Sequence, residues 1–209
     1  MKLAFIGIGN VGFALANNLQ KQGHEIILAH DNPQSESIQM ALKKNTAFSV
    51  KTIQDAIDGA DVILLATPFG VSESILKPID LKGKILVDCT NPVGPGISHG
   101  LDSQISGAEQ IQQWATEAKV VKAYTIYGFE NLIDPAYSKY EVKPVMLIAG
   151  NDGQAKQMVT QLNDDLGFET LDTGALDQAL HLEHMTLLWV KMVRRDGHHP
   201  HFTWAYLEK

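Results

Sequence analysis

Six residues near the start of the chain constrain it most. Gly7-Ile8-Gly9-Asn10-Val11-Gly12 has the spacing G-x-G-x-x-G. It follows directly on the apolar run Leu3-Ala4-Phe5-Ile6, which reads as a buried parallel strand. It opens a segment in which Val11, Ala14, Leu15, Asn18 and Leu19 fall on one helical face, closed by Gly23. Strand, glycine loop and helix in this order form the entry to a β-α-β unit that binds a dinucleotide. Gly7 permits the tight turn, Gly9 lets backbone approach a pyrophosphate, and Gly12 lets the helix pack on the strand. The free N–H groups of that helix then face the phosphates. The plain alternative is a glycine turn with no ligand.

The rest of the chain repeats the alternation. Strands are expected at 24–29, 48–50, 61–66, 84–88, 120–123, 144–149 and 168–171. Helices are expected at 35–44, from Thr52, whose spacing to Asp55 is that of a capping box, at 105–119, at 155–166 closed by Gly167, and over 175–193. Residues 89–102 lack periodicity and read as a loop. The pattern predicts an α/β fold, a Rossmann-type doubly wound parallel sheet with a smaller, mainly helical C-terminal part. The division expected is an NAD(P)-binding domain over 1–150 and a C-terminal part over 151–209 that closes the cleft.

Composition narrows the partners. With 17 Lys and Arg against 24 Asp and Glu among 209 residues, the formal net charge is −7. An acidic chain is poorly suited to displacing the counterions of nucleic acid. No apolar run exceeds the five residues of Val62–Ala66, far short of a membrane span. The single cysteine, Cys89, cannot form an internal disulfide, and no signal peptide opens the chain. Both features are expected of a cytoplasmic protein.

The end of the second strand bears on which dinucleotide fits. An acidic residue there binds the ribose hydroxyls of NAD, whereas an Arg nearby accommodates the 2′-phosphate of NADP. The segment reads His30-Asp31-Asn32-Pro33, and no Lys or Arg lies between Lys21 and Lys43. Asp31 would repel a 2′-phosphate, so NAD is favoured over NADP. His30, Asn32 and Ser35 could still donate hydrogen bonds to one. Alternatively, Asp31 caps the turn before the helix at Ser35.

Several segments together resemble the NADPH-dependent reductases of the deazaflavin coenzyme F420 and their bacterial relatives. They are the glycine loop with Ala14-Leu15-Ala16, Asp61 through Ala66-Thr67-Pro68, Val87-Asp88-Cys89-Thr90-Asn91-Pro92, Val120-Val121-Lys122-Ala123, Gly128-Phe129-Glu130-Asn131, and Asp172-Thr173-Gly174-Ala175-Leu176. The ferric-reductase domains of certain membrane oxidoreductases also look similar, but no membrane helix accompanies them in this chain. The resemblance implies a Rossmann domain with a second redox partner in the cleft beside it. Carried over by position, Ala66, Thr67, Pro68 and Phe69 would lie along the cofactor. Asn91 and Pro92 would border the nicotinamide. Thr125 and Tyr127 would face the second substrate, with Gly174, Ala175 and Leu176 closing the cleft. The chain departs from the family where Ser or Thr and then Arg usually end strand two. It departs again at Tyr124-Thr125 and at Leu180 and His184, so the F420 specificity is not inherited with the fold.

Hydride transfer to a deazaflavin or flavin needs alignment more than acid–base help. No catalytic residue is therefore nominated. A ketone would need a proton donor, for which His181, His184 and Tyr127 are the candidates. No metal is expected, because His198-His199-Pro200-His201 fits no zinc spacing. Cys89 is either a thiolate beside the nicotinamide or a small buried apolar residue. Helix 176–193 is apolar nearly all round and predicts either core packing or a homodimer interface. The leading function is an NAD(P)-dependent oxidoreductase acting on a deazaflavin, flavin or other small redox acceptor. The alternative is a non-catalytic dinucleotide sensor. A hydroxy-acid or imine dehydrogenase would need a Lys or His base where this chain offers Thr125.

Overall fold

A computed structural model describes residues 1–137 and 140–209. In chain order the elements begin β1 (Lys2–Ile6), α1 (Asn10–Lys21), β2 (Glu25–Ala29), α2 (Glu36–Lys44), β3 (Ser49–Lys51), α3 (Ile53–Gly59), β4 (Val62–Leu65), α4 (Phe69–Leu76) and β5 (Ile85–Asp88). Two-residue strands β6 (Val93–Gly94) and β7 (Ser98–His99) then pair as a small hairpin, so the expected loop over 89–102 has its own structure. After them come α5 (Gly107–Trp114), β8 (Lys119–Lys122), α6 (Phe129–Ile133), β9 (Val145–Gly150), α7 (Gly153–Leu166), β10 (Glu169–Asp172) and α8 (Ala179–Val190). A π-helical turn, Lys191–Arg195, prolongs α8.

The main sheet has eight strands in the order β10-β9-β8-β5-β4-β1-β2-β3. From β3 to β8 every pairing is parallel, which is the Rossmann-type α/β arrangement. β1 and β4 are adjacent, and here the winding reverses. Their residues Leu3–Ile6 and Val62–Leu65 are buried on both faces, as their unbroken apolar runs require.

β9 departs from the all-parallel expectation by running antiparallel to β8. A parallel crossover needs a helix long enough to carry the chain back along the sheet. Among the described residues the only helix between them, α6, has five residues. The overlap is also short: only Val121 and Lys122 pair, with Gly150 and Ala149. Val145–Ile148 therefore project past the carboxyl edge of β8, and β10 pairs with that projecting part. The C-terminal tail joins it there, where the Val145 N–H donates to the Trp204 carbonyl (2.9 Å). The sheet thus continues beyond residue 150, through Asp172.

Side-chain caps fix the starts of α3, α5 and α7. Thr52 accepts from the Asp55 N–H as its spacing predicts. Ser106 and Glu109 form a full capping box that starts α5. That helix ends at Ala115 rather than running to Lys119. The Gly83 N–H holds the Glu117 carbonyl (2.9 Å), so the chain has already turned to enter β8. The expected helix over 175–193 begins as a 3-10 turn at Leu176–Gln178. α8 buries Leu182, Glu183, Thr186 and Trp189 and exposes His181, His184 and Leu188, so it has an outer face after all.

Candidate functional site

The glycine loop sits at the reversal point between β1 and β4. Gly7 has φ +95°. A Cβ built there would lie 2.7 Å from the Ala66 carbonyl, and one on Gly12 would lie 2.3 Å from the Gly7 oxygen. Both glycines are required by backbone packed against backbone. Gly9 is different: a Cβ there meets nothing within 4 Å. Nothing in the fold demands glycine at this position, yet Gly9 is the N-cap of the 12-residue α1 and no side chain caps that helix. An open glycine beside an uncapped helix start is what close approach of an anionic group requires. Ile8, Gly9 and Asn10 also line a groove between α1, α2 and α6, with Phe13, Met40 and Phe129.

At the end of β2, Asp31 does not cap the helix at Ser35. Its Oδ1 accepts from the Ile53 N–H (3.0 Å), the first amide of α3. The Asn32 N–H donates to His30 Nδ1 (2.9 Å), and the Gln34 N–H to Asn32 Oδ1 (3.0 Å). His30 Nδ1 is therefore an acceptor and Nε2 carries the ring proton in the neutral form. The Ser35 hydroxyl is buried without a partner. A cation that the sequence places further on, Lys51, pairs opposite Ala29 at the end of β3, but its ammonium lies beside Gly59.

The tips of β4, β5 and β8 bring the next residues together. Ala66, Thr67, Pro68 and Phe69 lead from β4 into α4, whose start likewise has no side-chain cap. The Thr67 and Ser72 hydroxyls are 3.2 Å apart. Asn91 and Pro92 follow β5. Thr125 follows β8 after Tyr124, a buried bulky residue with φ +59°. A left-handed tyrosine is a strained turn, of the kind that persists where the surroundings fix it. The hydroxyls of Thr90, Tyr124 and Thr125 are all buried without partners. Thr186 of α8 reaches the same place, with its Oγ1 2.7 Å from the Thr125 carbonyl and 3.0 Å from the Asn91 side chain.

Beneath these tips lies a buried charge network that the sequence did not announce. Lys122 Nζ donates to Asp88 Oδ2 (2.8 Å), Glu183 Oε1 (2.8 Å) and the Thr90 carbonyl (2.6 Å). Glu183 Oε2 accepts from His99 Nε2 (2.8 Å) and the Gly107 N–H (2.9 Å), and Oε1 from the Ala108 N–H (3.3 Å). His99 Nδ1 faces the N–H groups of Leu101 and Ser103, each at 3.3 Å, so the proton resides on Nε2. Burial works to discharge Lys122, but the carboxylates of Asp88 and Glu183 outweigh it and hold its pKa above the ordinary value. Burial likewise pushes Glu183 up, and the Lys122 charge with the donated hydrogen bonds brings it below the usual range. The network is fully partnered, so Lys122 is no free base. Burial and the neighbouring Asp88 raise the Cys89 pKa strongly, only partly offset by Lys122, which favours the thiol of a small buried residue.

Other nominated residues lie elsewhere. Tyr127 is buried against Phe168, and its hydroxyl donates to the Val145 carbonyl. Burial pushes its pKa up to about 12, so it is no ready proton donor. Gly174, Ala175 and Leu176 follow β10, which runs opposite to the parallel strands β1–β5 and β8, so the rule for carboxyl ends of parallel strands does not apply there. The Leu176 N–H donates to Asn151 Oδ1 (3.0 Å), and Ala175 and Leu176 line a separate hollow with Glu109 and Gln112. Thr186, ten residues on, is what the C-terminal part contributes to the tips. His181, His198, His199 and His201 are exposed, and His184 Nε2 lies 3.0 Å from Ser103 Oγ. Among the described residues no three metal-ligating side chains gather.

Comparison with known proteins fits this geometry. Residues 2–92, the glycine loop through the Asn91-Pro92 tip, match the family described as NADP oxidoreductase coenzyme F420-dependent. The crystal structure of a protein from Arthrobacter sp. FB24, provisionally assigned as an F420-dependent NADP reductase, superposes with a TM-score of 0.84 at 28% identity, covering 100% of both chains. The chain resembles the F420-dependent NADP oxidoreductases. Its likeness extends to Metalloreductase STEAP3 of Rattus norvegicus, 27% identical over 89% of this chain, and to 2-hydroxy-3-oxopropionate reductase of Escherichia coli K12, 27% identical over 84% of it. The chain spans 36% of the first protein and 64% of the second. Among the described residues no helix is long and apolar enough to cross a membrane.

Proposed function

We propose that the chain is an NAD(P)H-dependent reductase that passes a hydride to a small redox acceptor of the deazaflavin or flavin kind. The observation that carries this is Gly9, open on its ligand side at an uncapped helix start, between two glycines that backbone contacts explain completely. The residues fit a dinucleotide: the Gly7–Gly12 loop would hold the pyrophosphate, His30–Ser35 the adenosine ribose, and Ala66–Phe69 with Asn91 and Pro92 the nicotinamide half. A bound reduced nicotinamide supplies the hydride. The protein's part is orientation and exclusion of water. Lys122 and His99 are spent in the buried network and Tyr127 on backbone, so none of these three is free to give a proton to a ketone. That favours an acceptor needing alignment alone over a hydroxy-acid or imine substrate.

The cofactor preference proposed is NADH at least equal to NADPH, although the related family is named for NADP. Asp31 is fixed by Ile53 at the β2 tip, and the Lys51 ammonium is turned toward Gly59. A 2′-phosphate there lacks the Arg contacts that normally stabilise it. Asp31→Arg should shift preference toward NADPH by about 1–3 kcal/mol. Fluorescence titration with both nucleotides at fixed ionic strength checks this. NADPH binding tenfold tighter to the parent chain would mean that His30, Asn32 and Ser35 read the phosphate. A second copy, if the chain dimerises through 176–193, would pack on the exposed Leu188, which light scattering of Leu188→Glu tests. Anaerobic oxidation of NADH and NADPH with flavin, deazaflavin, quinone or ferric acceptors tests the activity. Tight binding with no turnover on any acceptor would make the chain a sensor instead.

A further inference from the structure

Thr186 Oγ1 lies within hydrogen-bond distance of three oxygens: the Thr125 carbonyl (2.7 Å), Asn91 Oδ1 as placed (3.0 Å) and the Leu182 carbonyl of its own helix (3.2 Å). A hydroxyl has one proton to give. The Thr125 carbonyl is the nearest and cannot donate, so it takes that proton. Two oxygens at 3.0 Å with no proton between them repel, and the orientation of an Asn amide is set by its network. The arrangement is satisfied when Asn91 turns its amide, so that Nδ2 donates to Thr186 Oγ1. Asn91 Oδ1 then becomes the free end of a half-exposed side chain at the tip of β5.

We infer that Thr186 is a positioning residue: it fixes Asn91 so that Oδ1 is presented to the cleft as an acceptor for a primary amide N–H, the group that the carboxamide of a nicotinamide provides. This rests on the dinucleotide reading and specifies how its reactive end is recognised. The rest of the structure holds Thr186 in register. Glu183, one turn earlier on α8, is tied to Lys122 of β8, to His99 and to the first amides of α5. Tyr124, in its left-handed turn, precedes the carbonyl that Thr186 binds. Three separate segments therefore converge on the orientation of one amide.

The test compares NADH with reduced 3-acetylpyridine adenine dinucleotide, which replaces the carboxamide by a methyl ketone and has no N–H to donate. Dissociation constants are measured for the parent chain, Thr186→Ser and Thr186→Val, each checked by circular dichroism. The parent and the Ser variant should prefer NADH by about tenfold, the scale of one hydrogen bond. The Val variant should fall to a preference below about twofold. Should Thr186→Val not fold, Asn91→Ala gives the same readout from a loop position and should lose the preference. A Val variant that keeps the full preference overturns the inference, as does a parent chain that binds both nucleotides equally. A parent chain that binds neither overturns the dinucleotide reading itself.

Discussion

The two flanks of the sheet are built on different principles. On the β1–β3 side the core is apolar, and the special positions Gly7 and Gly12 are glycines whose need is written in backbone contacts. On the β5–β8 side the core holds Asp88, Lys122, Glu183 and His99, all buried, with Thr186 beside them. The first flank keeps its donors free for a ligand. The second has turned its polar groups inward on one another. One flank presents a binding surface whose removal should leave the fold intact. The other is a scaffold whose loss should unfold the protein.

Lys122→Met breaks the comparison most severely. It leaves the Asp88 and Glu183 carboxylates buried without their counter-charge, a loss of about 3–5 kcal/mol. Urea unfolding measures it, and a change below about 1 kcal/mol would mean that water already reaches the network.

Acid sharpens the same contrast. Glu183 is held below the ordinary carboxylate value in the folded state, so the unfolded chain takes up its proton first. The stability it contributes is complete above about pH 5 and is lost as pH falls through the folded value. Glu183→Gln should be less stable than the parent at pH 7. The gap should narrow as pH drops below about 4. Melting temperatures across that range give the sign, and a gap that widens in acid would exclude Glu183 as the group responsible.

The smallest effect tests a local device. Ser106→Ala removes the cap that starts α5 and exchanges hydrogen bonds with Glu109. The expected loss is about 1 kcal/mol, with nucleotide affinity unchanged. Titration and urea unfolding on the same samples separate the two quantities.

The difference between the flanks also decided what could be read from the chain alone. β1, β2 and β4 are unbroken apolar runs, and Gly7, Gly9 and Gly12 lie within six residues, so strand, loop and helix were all legible. The buried network draws on Asp88, His99, Lys122 and Glu183, which are far apart in sequence. Each looks locally like a surface residue, and only the register that sets Asp88 beside Lys122 brings them together. The direction of β9 was hidden for a similar reason, since α6 is too short to leave a helical period. Asp31 reads from the sequence either as the acid at the ribose edge or as the cap before the Ser35 helix, and the helix whose first amide it holds is α3. Its true partner, Ile53, is 22 positions away and meets it only because β3 lies alongside β2. Leu176 follows β10, and its N–H meets Asn151 Oδ1 through the antiparallel placement of β9, which no local pattern reveals.

The central claim is that the open side of Gly9 is where a dinucleotide pyrophosphate rests. Gly9→Val places a branched side chain in that space, and its Cβ has no protein atom within 4 Å. Titration of NADH and NADPH against parent and variant, with urea unfolding alongside, tests it directly. The account predicts a fold that is kept, with a stability loss of about 1 kcal/mol from a poorer N-cap, and loss of measurable binding for both nucleotides. A folded Gly9→Val chain that binds either nucleotide as tightly as the parent would contradict it.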